Sequence, residues 1–429
     1  MPGIAIVGAG SMVFTRALVS DLMRDEVTRD VDLRLVDVDP ERLRTSREMV
    51  ARIVAEAGGR GAVTVHPERR GALEGATFVV NTIQVGGLRA TELDFDVPER
   101  FGIRQTIADT LGIGGISRAM RTIPPVLAIV RDIEEVAPDA VLLNYSNPMS
   151  MLVMAIAARS GVACYGLCHS IPNTAERIAG WLGVDERDLD WEAAGINHMA
   201  WFTRLETAGG DDLYPRLRER AEDPAVFAQD PVRFELMRHF GLFMTESSEH
   251  DAEYVSYFLH HADEVERLRI PIREYLRRMH VHEDDYARLH DALDRGDPLT
   301  SPPSHEYAPP LIASLLAGRD WIFHANVMNR GLIPNLPPEA CVEVPCVTRR
   351  HRVHPIPVGA LPPGPAALDR QSVAVQELAV RGVLEDDRDL LYQAAMLDPQ
   401  ASALLRLRDI RRLVDELIEA HAALAPAPA

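Results

Sequence analysis

The sequence predicts an α/β fold: a doubly wound parallel sheet followed by a C-terminal α+β half. Two observations carry this expectation. From Gly3 to about Leu182, short all-apolar runs alternate with stretches of helical periodicity, as when strands are buried on both faces by crossover helices. Beyond that point the apolar runs shorten and are broken by Pro215, Pro231, Pro302, Pro303, Pro309 and Pro310.

Gly3–Val7 is the first strand, Gly8-Ala9-Gly10-Ser11 a turn, and Met12–Arg24 a helix with Val13, Leu18, Leu22 and Met23 at helical spacing. Leu33–Asp37 is a second strand, and Pro40 opens a helix to about Ala57, since proline suits the first helical position. Thr77–Ile83, Val141–Tyr145 and Cys164–Cys168 read as further buried strands and Ala175–Leu182 as a helix. The unit is of Rossmann type. Gly183–Trp191 is acidic and hinge-like, so the expected division is a nucleotide-binding domain over residues 1–190 and a substrate and metal domain over 191–429. Gln371–Val380, Asp387–Met396 and Ala401–Ala423 have helical periodicity; Leu361–Pro365 reads as a proline-rich loop and Leu424–Ala429 as a tail without order.

Among 429 residues, Asp and Glu outnumber Lys and Arg by 64 to 45, a formal charge of -19. That excludes a surface built for phosphate backbones and favours a small-molecule substrate. No signal peptide or stretch of about 18 apolar residues is present, so a cytoplasmic protein with no membrane partner is expected. There the four cysteines (Cys164, Cys168, Cys341, Cys346) stay thiols, free to ligate a metal.

Gly8 and Gly10 stand between strand and helix, where backbone can approach a pyrophosphate and the helix N-terminus favours its charge. The third glycine of the usual fingerprint is missing. Asp37 closes the second strand, where a carboxylate accepts from ribose hydroxyls, favouring NAD over its phosphorylated form. Asp39 reads as a solvated strand-end acid.

Cys168-His169-Ser170 follows a strand at the sheet's C-terminal edge, and Ile196-Asn197-His198-Met199 ends another apolar segment. Cys168 and His198 are either metal ligands, with substrate oxygens completing the shell, or ordinary core residues. Asn147, before Pro148, reads as a contact to a sugar hydroxyl or as a helix cap. Thr106–Gly115 is glycine-rich and reads as a mobile loop, with Asp109 as an acid or a substrate clamp. Glu246, Glu249, His250, Asp251, Glu253 and Tyr254 crowd into Thr245–Tyr254, which composition favours as a solvated face over a proton-transfer cluster.

Eight segments in order resemble family 4 of the glycoside hydrolases: Gly8–Ser11, Gln105–Gly115, Asn144–Met149, Leu167–Ser170, Gly195–His198, Thr245–Tyr254, Glu306–Pro310 and Asn329–Pro337. The resemblance implies a fold like that of lactate and malate dehydrogenases, NAD and a divalent metal (usually Mn2+) as cofactors, and a homodimer or homotetramer. It implies that Gly8, Gly10, Ser11 and Asp37 hold NAD, that Cys168 and His198 bind the metal, and that Asn147 contacts substrate. His169 after Cys168 is the family's mark of an unphosphorylated sugar. Cys-His-Ser resembles the α-galactosidase subgroup, whereas Cys-His-Gly would imply an α-glucosidase or α-glucuronidase. Ala108 in place of the family's usual glycine, His305 before Glu306, and Val255-Ser256-Tyr257 after Tyr254 depart from the pattern.

The reaction expected from the resemblance dispenses with the usual pair of flanking carboxylates. NAD oxidises C3 of the sugar, the metal polarises the ketone, a base removes the C2 proton, the glycosidic oxygen leaves, water adds, and the hydride returns. Tyr254, Glu246 and Asp251 are the candidate bases, Asp109 and His169 the candidate acids. The alternative enzyme class is an NAD-dependent hydroxyacid dehydrogenase with His198 as proton acceptor.

Overall fold

A computed structural model describes residues 2–424; the remainder of the expected tail, 425–429, lies outside the described residues. Eleven strands form one sheet: β1 (Gly3–Val7), β2 (Asp32–Val36), β3 (Val63–Val65), β4 (Phe78–Asn81), β5 (Val141–Asn144), β6 (Ala163–Gly166), β7 (Leu189–Ile196), β8 (Met199–Thr207), β9 (Trp321–Met328), β10 (Cys341–Arg349) and β11 (Arg352–Pro355). Their order is β3-β2-β1-β4-β5-β6-β9-β10-β7-β8, with β11 on β10. The first six are parallel and have the doubly wound order, so a crevice opens above the C-terminal ends of β1 and β4 where the winding reverses.

All five residues of β1 are buried, because alternate side chains serve different cores. Ile4 and Ile6 join Leu18, Leu22, Met49 and Ile53 of helices Met12–Leu22 and Pro40–Glu56. Ala5 and Val7 join Ile116 and Ile123 of helix Gly112–Val136 and Leu152 of helix Met149–Arg159. A strand enclosed by helices on both faces has no polar face, hence its continuous apolar run.

The C-terminal half continues the same sheet in antiparallel sense. β9 meets β6 at Gly166↔Asn326, and β10 pairs with β9 from Cys341 to Thr348. β7 joins β10 at Glu343↔Gly195 and turns back into β8. A side chain at Gly166 would collide with Met149 Sδ and Asn326 Cβ at 2.6 and 2.8 Å, so glycine permits that junction. The acidic stretch after Gly183 is short because β7 already begins at Leu189, and the two expected lobes therefore share one sheet.

Three local expectations are corrected. Pro363 and Pro365 lie in the first turn of helix Pro363–Glu385, where a missing N–H costs nothing, so Leu361–Pro365 is mostly a helix start. The helix expected over Ala401–Ala423 is two, Pro399–Leu404 and Leu407–Ala422, separated by the extended Leu405 and Arg406. Ala175–Leu182 belongs to the longer helix Ser170–Leu182, which accommodates Pro172 in its first turn.

Helix Pro231–Phe240 is tied down by a buried ion pair: Asp230 accepts from Arg233 at 2.9 and 2.7 Å, and Arg233 also donates to Thr174 Oγ1 (2.8 Å) and the Met244 carbonyl (3.3 Å). Ser248 Oγ donates to Asp230 at 3.1 Å, so this pair anchors both ends of the segment before helix Ser248–Tyr254. Burial pushes the Asp230 carboxyl up, but Arg233 and Arg177 hold it below the usual range. Asp230→Ala would strand a buried guanidinium and is expected to lower stability by about 3–5 kcal/mol, read by denaturant unfolding. In the wild type this contribution is complete above about pH 3.9, the unfolded carboxyl's pKa, and is lost as pH falls through the lower folded value.

Candidate active site

At the switch-point crevice, Gly8 has φ +91° and an added Cβ would meet Thr82 Oγ1 and the Thr82–Ile83 backbone at 2.8–3.0 Å. At Gly10 an added Cβ would lie 2.7 Å from Asp37 Oδ2, which accepts from the Gly10 amide at 2.7 Å. The Asp37 Oδ1 accepts from the Asp39 amide at 2.9 Å, and Asp39 caps the following helix through Glu41 and Arg42. Close packing thus demands both glycines. Helix Met12–Leu22 begins at Ser11 with no side-chain cap and no acid in its first turn. Its open amides and dipole fit a pyrophosphate, and Asp37 stands beside the turn as a ribose acceptor would.

Three chain segments bring the metal-type donors together. Cys168 follows β6. His198 sits in the β7–β8 turn at φ +66°, a left-handed position that turns its ring back toward the sheet's end. Glu246 arrives because Thr245 N–H donates to the Ala200 carbonyl at 2.9 Å and Met244 bridges Trp201, fastening this segment along β8. His198 Nε2 lies 3.5 Å from Cys168 Sγ and 3.4 Å from Glu246 Oε2. Their ligand atoms lie within 4.8 Å of one another, as do those of Asp109, His198 and His250.

Burial, with Glu343 and Glu246, pushes the Cys168 thiol well above its usual range, so only a cation beside the sulfur would strip its proton. Burial also pushes Glu246 upward, yet His250 and His198 hold it at about 2. A carboxylate beside an imidazole and a polarizable sulfur is a donor set suited to a divalent transition ion.

Asp109 faces the same centre. Its Oδ1 accepts from Thr110 Oγ1 (2.7 Å) and its Oδ2 from Asn147 Nδ2 (3.0 Å), while Arg118 Nη1 lies 3.7 Å away. Burial acts upward, but Arg118, His250 and His198 hold the carboxyl below its usual range. Asn147 Oδ1 accepts from the Met149 amide at 3.2 Å, so its capping and site-facing readings coexist on one side chain.

The segment before Asp109 is no mobile loop. Glu253 accepts from the amides of Thr106 (2.8 Å), Ile107 (2.9 Å) and Ala108 (2.8 Å), and Gln105 Oε1 accepts from the Gly114 amide at 2.9 Å. Thr106–Leu111 is buried, and Gly112, Gly114 and Gly115 open a 25-residue helix. Added Cβ atoms at Gly114 and Gly115 would meet the Ala108 and Thr110 backbone at about 2.6 Å. Close packing, not mobility, explains these glycines. Likewise Thr245–Tyr254 is largely enclosed: His250, Asp251, Glu253 and Tyr254 are buried.

Tyr254 brings a hydroxyl without a hydrogen-bond partner among the described residues. Burial, then Asp109, Glu253 and Glu246, push it well above the usual range. Asp251 is likewise unpartnered, but its charged neighbours include the anchoring residues Arg233 and Asp230, and burial drives it well above the usual carboxylate range. His169 is at the margin, half exposed, with Nδ1 2.7 Å from Glu306 Oε1. Burial works downward on its ring, but Glu306 raises it overall.

The nucleotide turn and this cluster are joined by contacts: Gly8 packs on Thr82 and Ile83, Ser146 Oγ donates to the Ile83 carbonyl at 2.8 Å, and Asn147, Asp109, Thr110 and His198 follow in turn. Thr110, Arg118, Glu253, Glu306 and Glu343 have places here that the sequence reading did not assign individually. For Glu343 a signal existed: a lone carboxylate in the apolar strand Cys341–Arg349. It is wholly buried, pushed up to about 8 by that burial, and accepts from Asn326 at 3.2 Å and Asn197 at 3.5 Å.

Residues 3–184 match the family model described as Family 4 glycosyl hydrolase, and residues 193–401 match that of the Family 4 glycosyl hydrolase C-terminal domain. An alpha-galactosidase of Bacillus subtilis (strain 168) is 39% identical over 98% of each chain. An alpha-galactosidase of Rhizobium meliloti (strain 1021) is 35% identical over 99% of this chain and 89% of its own. A solved 6-phospho-alpha-glucosidase from gut microorganisms, in complex with NAD and Mn2+, superposes with a TM-score of 0.83 at 20% identity, covering 99% of each chain, and shows the likeness of fold. Among the described residues no helix is long and apolar enough to cross a membrane.

Ala108 adopts φ +57° under the Glu253 clasp, which costs a residue with a Cβ about 1–2 kcal/mol. Ala108→Gly removes that strain against a smaller entropic loss, and is expected to raise the urea midpoint by an amount equivalent to about 0.5–1 kcal/mol.

Proposed function

Because the chain belongs to glycosyl hydrolase family 4, we propose that it hydrolyses α-galactosides, using NAD in the switch-point crevice and a divalent metal, Mn2+ above all, at Cys168 and His198. The observation that carries this reading is the convergence of thiol, imidazole, Asp109, Asn147 and the unpartnered Tyr254 hydroxyl beside the nucleotide turn. The full-length likeness to two α-galactosidases supports the sugar. So does charge: Glu306 and Glu246 both act on His169, and a sugar phosphate there would meet two carboxylates. The substrate is a small glycoside, and the enzyme works in the cytoplasm as a homodimer or homotetramer.

When bound, NAD supplies a reversible hydride acceptor and the metal a Lewis acid, and both bring positive charge to a pocket rich in carboxylates. The chain's own groups handle the protons. Tyr254 takes the C2 proton as the phenolate, so its hydroxyl, held protonated in the free chain by burial and the nearby carboxylates, must first lose its own proton to solvent, which the positive charge of bound NAD and metal favours. Glu246 is engaged by two imidazoles and Asp251 is kept neutral by burial. Asp109 serves the leaving oxygen. Against burial, Arg118, His250 and His198 hold its carboxyl ionised in the free chain, so it must take up a proton from solvent before it can give one to that oxygen. Asn147, fixed by Met149 and Asp109, presents its amide to a sugar hydroxyl. His169, oriented by Glu306, lines the entrance.

On a panel of nitrophenyl α- and β-glycosides with NAD, Mn2+ and thiol present, the α-galactoside should be cleaved fastest without net NADH absorbance at about 340 nm. Stoichiometric NADH would instead mark a hydroxyacid dehydrogenase, and preference for an α-glucoside or α-glucuronide would overturn the sugar assignment. EDTA should abolish turnover and Mn2+ restore it in the wild type; a Cys168→Ser chain that keeps full activity in EDTA would remove the metal from the reaction.

A further inference from the structure

We infer that Glu246 is a third protein ligand of the divalent metal, so that the chain grips the ion through sulfur, nitrogen and oxygen before any sugar arrives. This rests on the metal-dependent reading above and alters it in one respect: on sequence, two protein ligands left the sugar to complete the shell.

The hydrogen bonds around His198 carry the inference. Thr110 has one hydroxyl proton, which it donates to Asp109 Oδ1 at 2.7 Å. Toward His198 Nδ1, 2.9 Å away, Thr110 Oγ1 therefore accepts, and Nδ1 carries the ring N–H. In the neutral ring Nε2 is then a bare lone pair. It faces Glu246 Oε2 at 3.4 Å and Cys168 Sγ at 3.5 Å. A carboxylate oxygen and an imidazole lone pair directed at one point repel unless a proton or a metal ion lies between them, and 3.4 Å exceeds the roughly 2.7–3.2 Å of an N–H···O bond, which favours the metal.

The two spacings from His198 fit such an ion, and the Cys168 and Glu246 ligand atoms lie within 4.8 Å of each other. Donors about 2.0–2.3 Å from a common centre, at angles between octahedral and tetrahedral, stand roughly 3.0–3.7 Å apart. The second oxygen of Glu246 is already committed: Oε1 accepts from the Ser247 amide at 3.0 Å and lies 3.5 Å from His250 Nδ1. This orients the carboxylate with Oε2 toward His198, as outer partners orient a ligating side chain. Glu246 stays put because Thr245 is fastened along β8, the strand that leaves the His198 turn. A hard oxygen added to sulfur and nitrogen favours Mn2+, Fe2+ or Co2+ with positions left open for substrate.

The test is Mn2+ binding to the purified full-length chain without sugar, followed by loss of the free-ion electron paramagnetic resonance signal. Wild type should bind one ion per chain. Glu246→Gln, with an unchanged thermal midpoint, should bind about 100-fold more weakly or worse, as should Cys168→Ser. If Glu246→Gln does not fold, Glu246→Asp loaded with Co2+ decides, because a ligand moved by one methylene must change the visible d–d bands. Glu246→Gln binding Mn2+ like wild type while Cys168→Ser does not, or unchanged bands in Glu246→Asp, would overturn the inference and leave the metal-dependent reading standing. A wild-type chain that binds no Mn2+ with or without sugar would overturn both.

Discussion

The buried carboxylate of Glu253 holds the centre of this molecule together. It receives the amides of Thr106, Ile107 and Ala108 at 2.8–2.9 Å. Burial pushes it up to about 7 against the pull of those amides. Burial opposes the anion, and the three amides favour it. One side chain thereby ties the helix that ends in Tyr254 to the segment that leads into Asp109. Ala108 is forced left-handed, Asp109 is turned toward Asn147 and Arg118, and the Tyr254 hydroxyl comes to lie among the same carboxylates.

Asp230, buried, and Glu246, mostly buried, show how differently the chain treats negative charge. Asp230 is neutralised by Arg233 and donors from Ser248, and serves as an anchor. Glu246 has two imidazoles and one amide around it, but no guanidinium or ammonium within salt-bridge distance among the described residues. A mostly buried carboxylate without a guanidinium or ammonium costs stability unless another cation offsets it. The nucleotide turn is complementary, with an uncapped helix N-terminus and no first-turn acid, so it favours an anion. The two halves of the crevice therefore select opposite charges.

Much was legible in the sequence where local pattern and burial agree. β1, its glycine turn and the helix after it were readable because a strand covered on both faces must be apolar throughout and because only glycine avoids the collisions at Gly8 and Gly10. Cys168, His198 and Asn147 were identifiable as site candidates by their places in motifs at strand ends, and Asp109 as the one carboxylate of a glycine-rich run. Segments whose composition suggests one environment while tertiary contacts impose another were misread. Thr245–Tyr254 is acidic enough to suggest solvent, but Asp230, Arg233 and the pairing with β8 hold it inside. Thr106–Gly115 is glycine-rich enough to suggest mobility, but Gly114 and Gly115 are needed because Ala108 and Thr110 backbone lies against them, and Gly112 adopts φ +68°.

By itself the sequence determined the alternation of buried strands and helices, the glycine turn, and which residue types stand at the strand ends, since each depends on neighbours within a few positions. That Cys168 meets His198 thirty residues on, and that Glu246 joins them, was decided only by the tertiary structure. Their proximity follows from antiparallel additions to the parallel sheet at Gly166↔Asn326 and Glu343↔Gly195 and from a bridge at Trp201↔Met244. Strand order and register between segments so far apart depend on the summed packing of the whole sheet, and no local pattern encodes that sum.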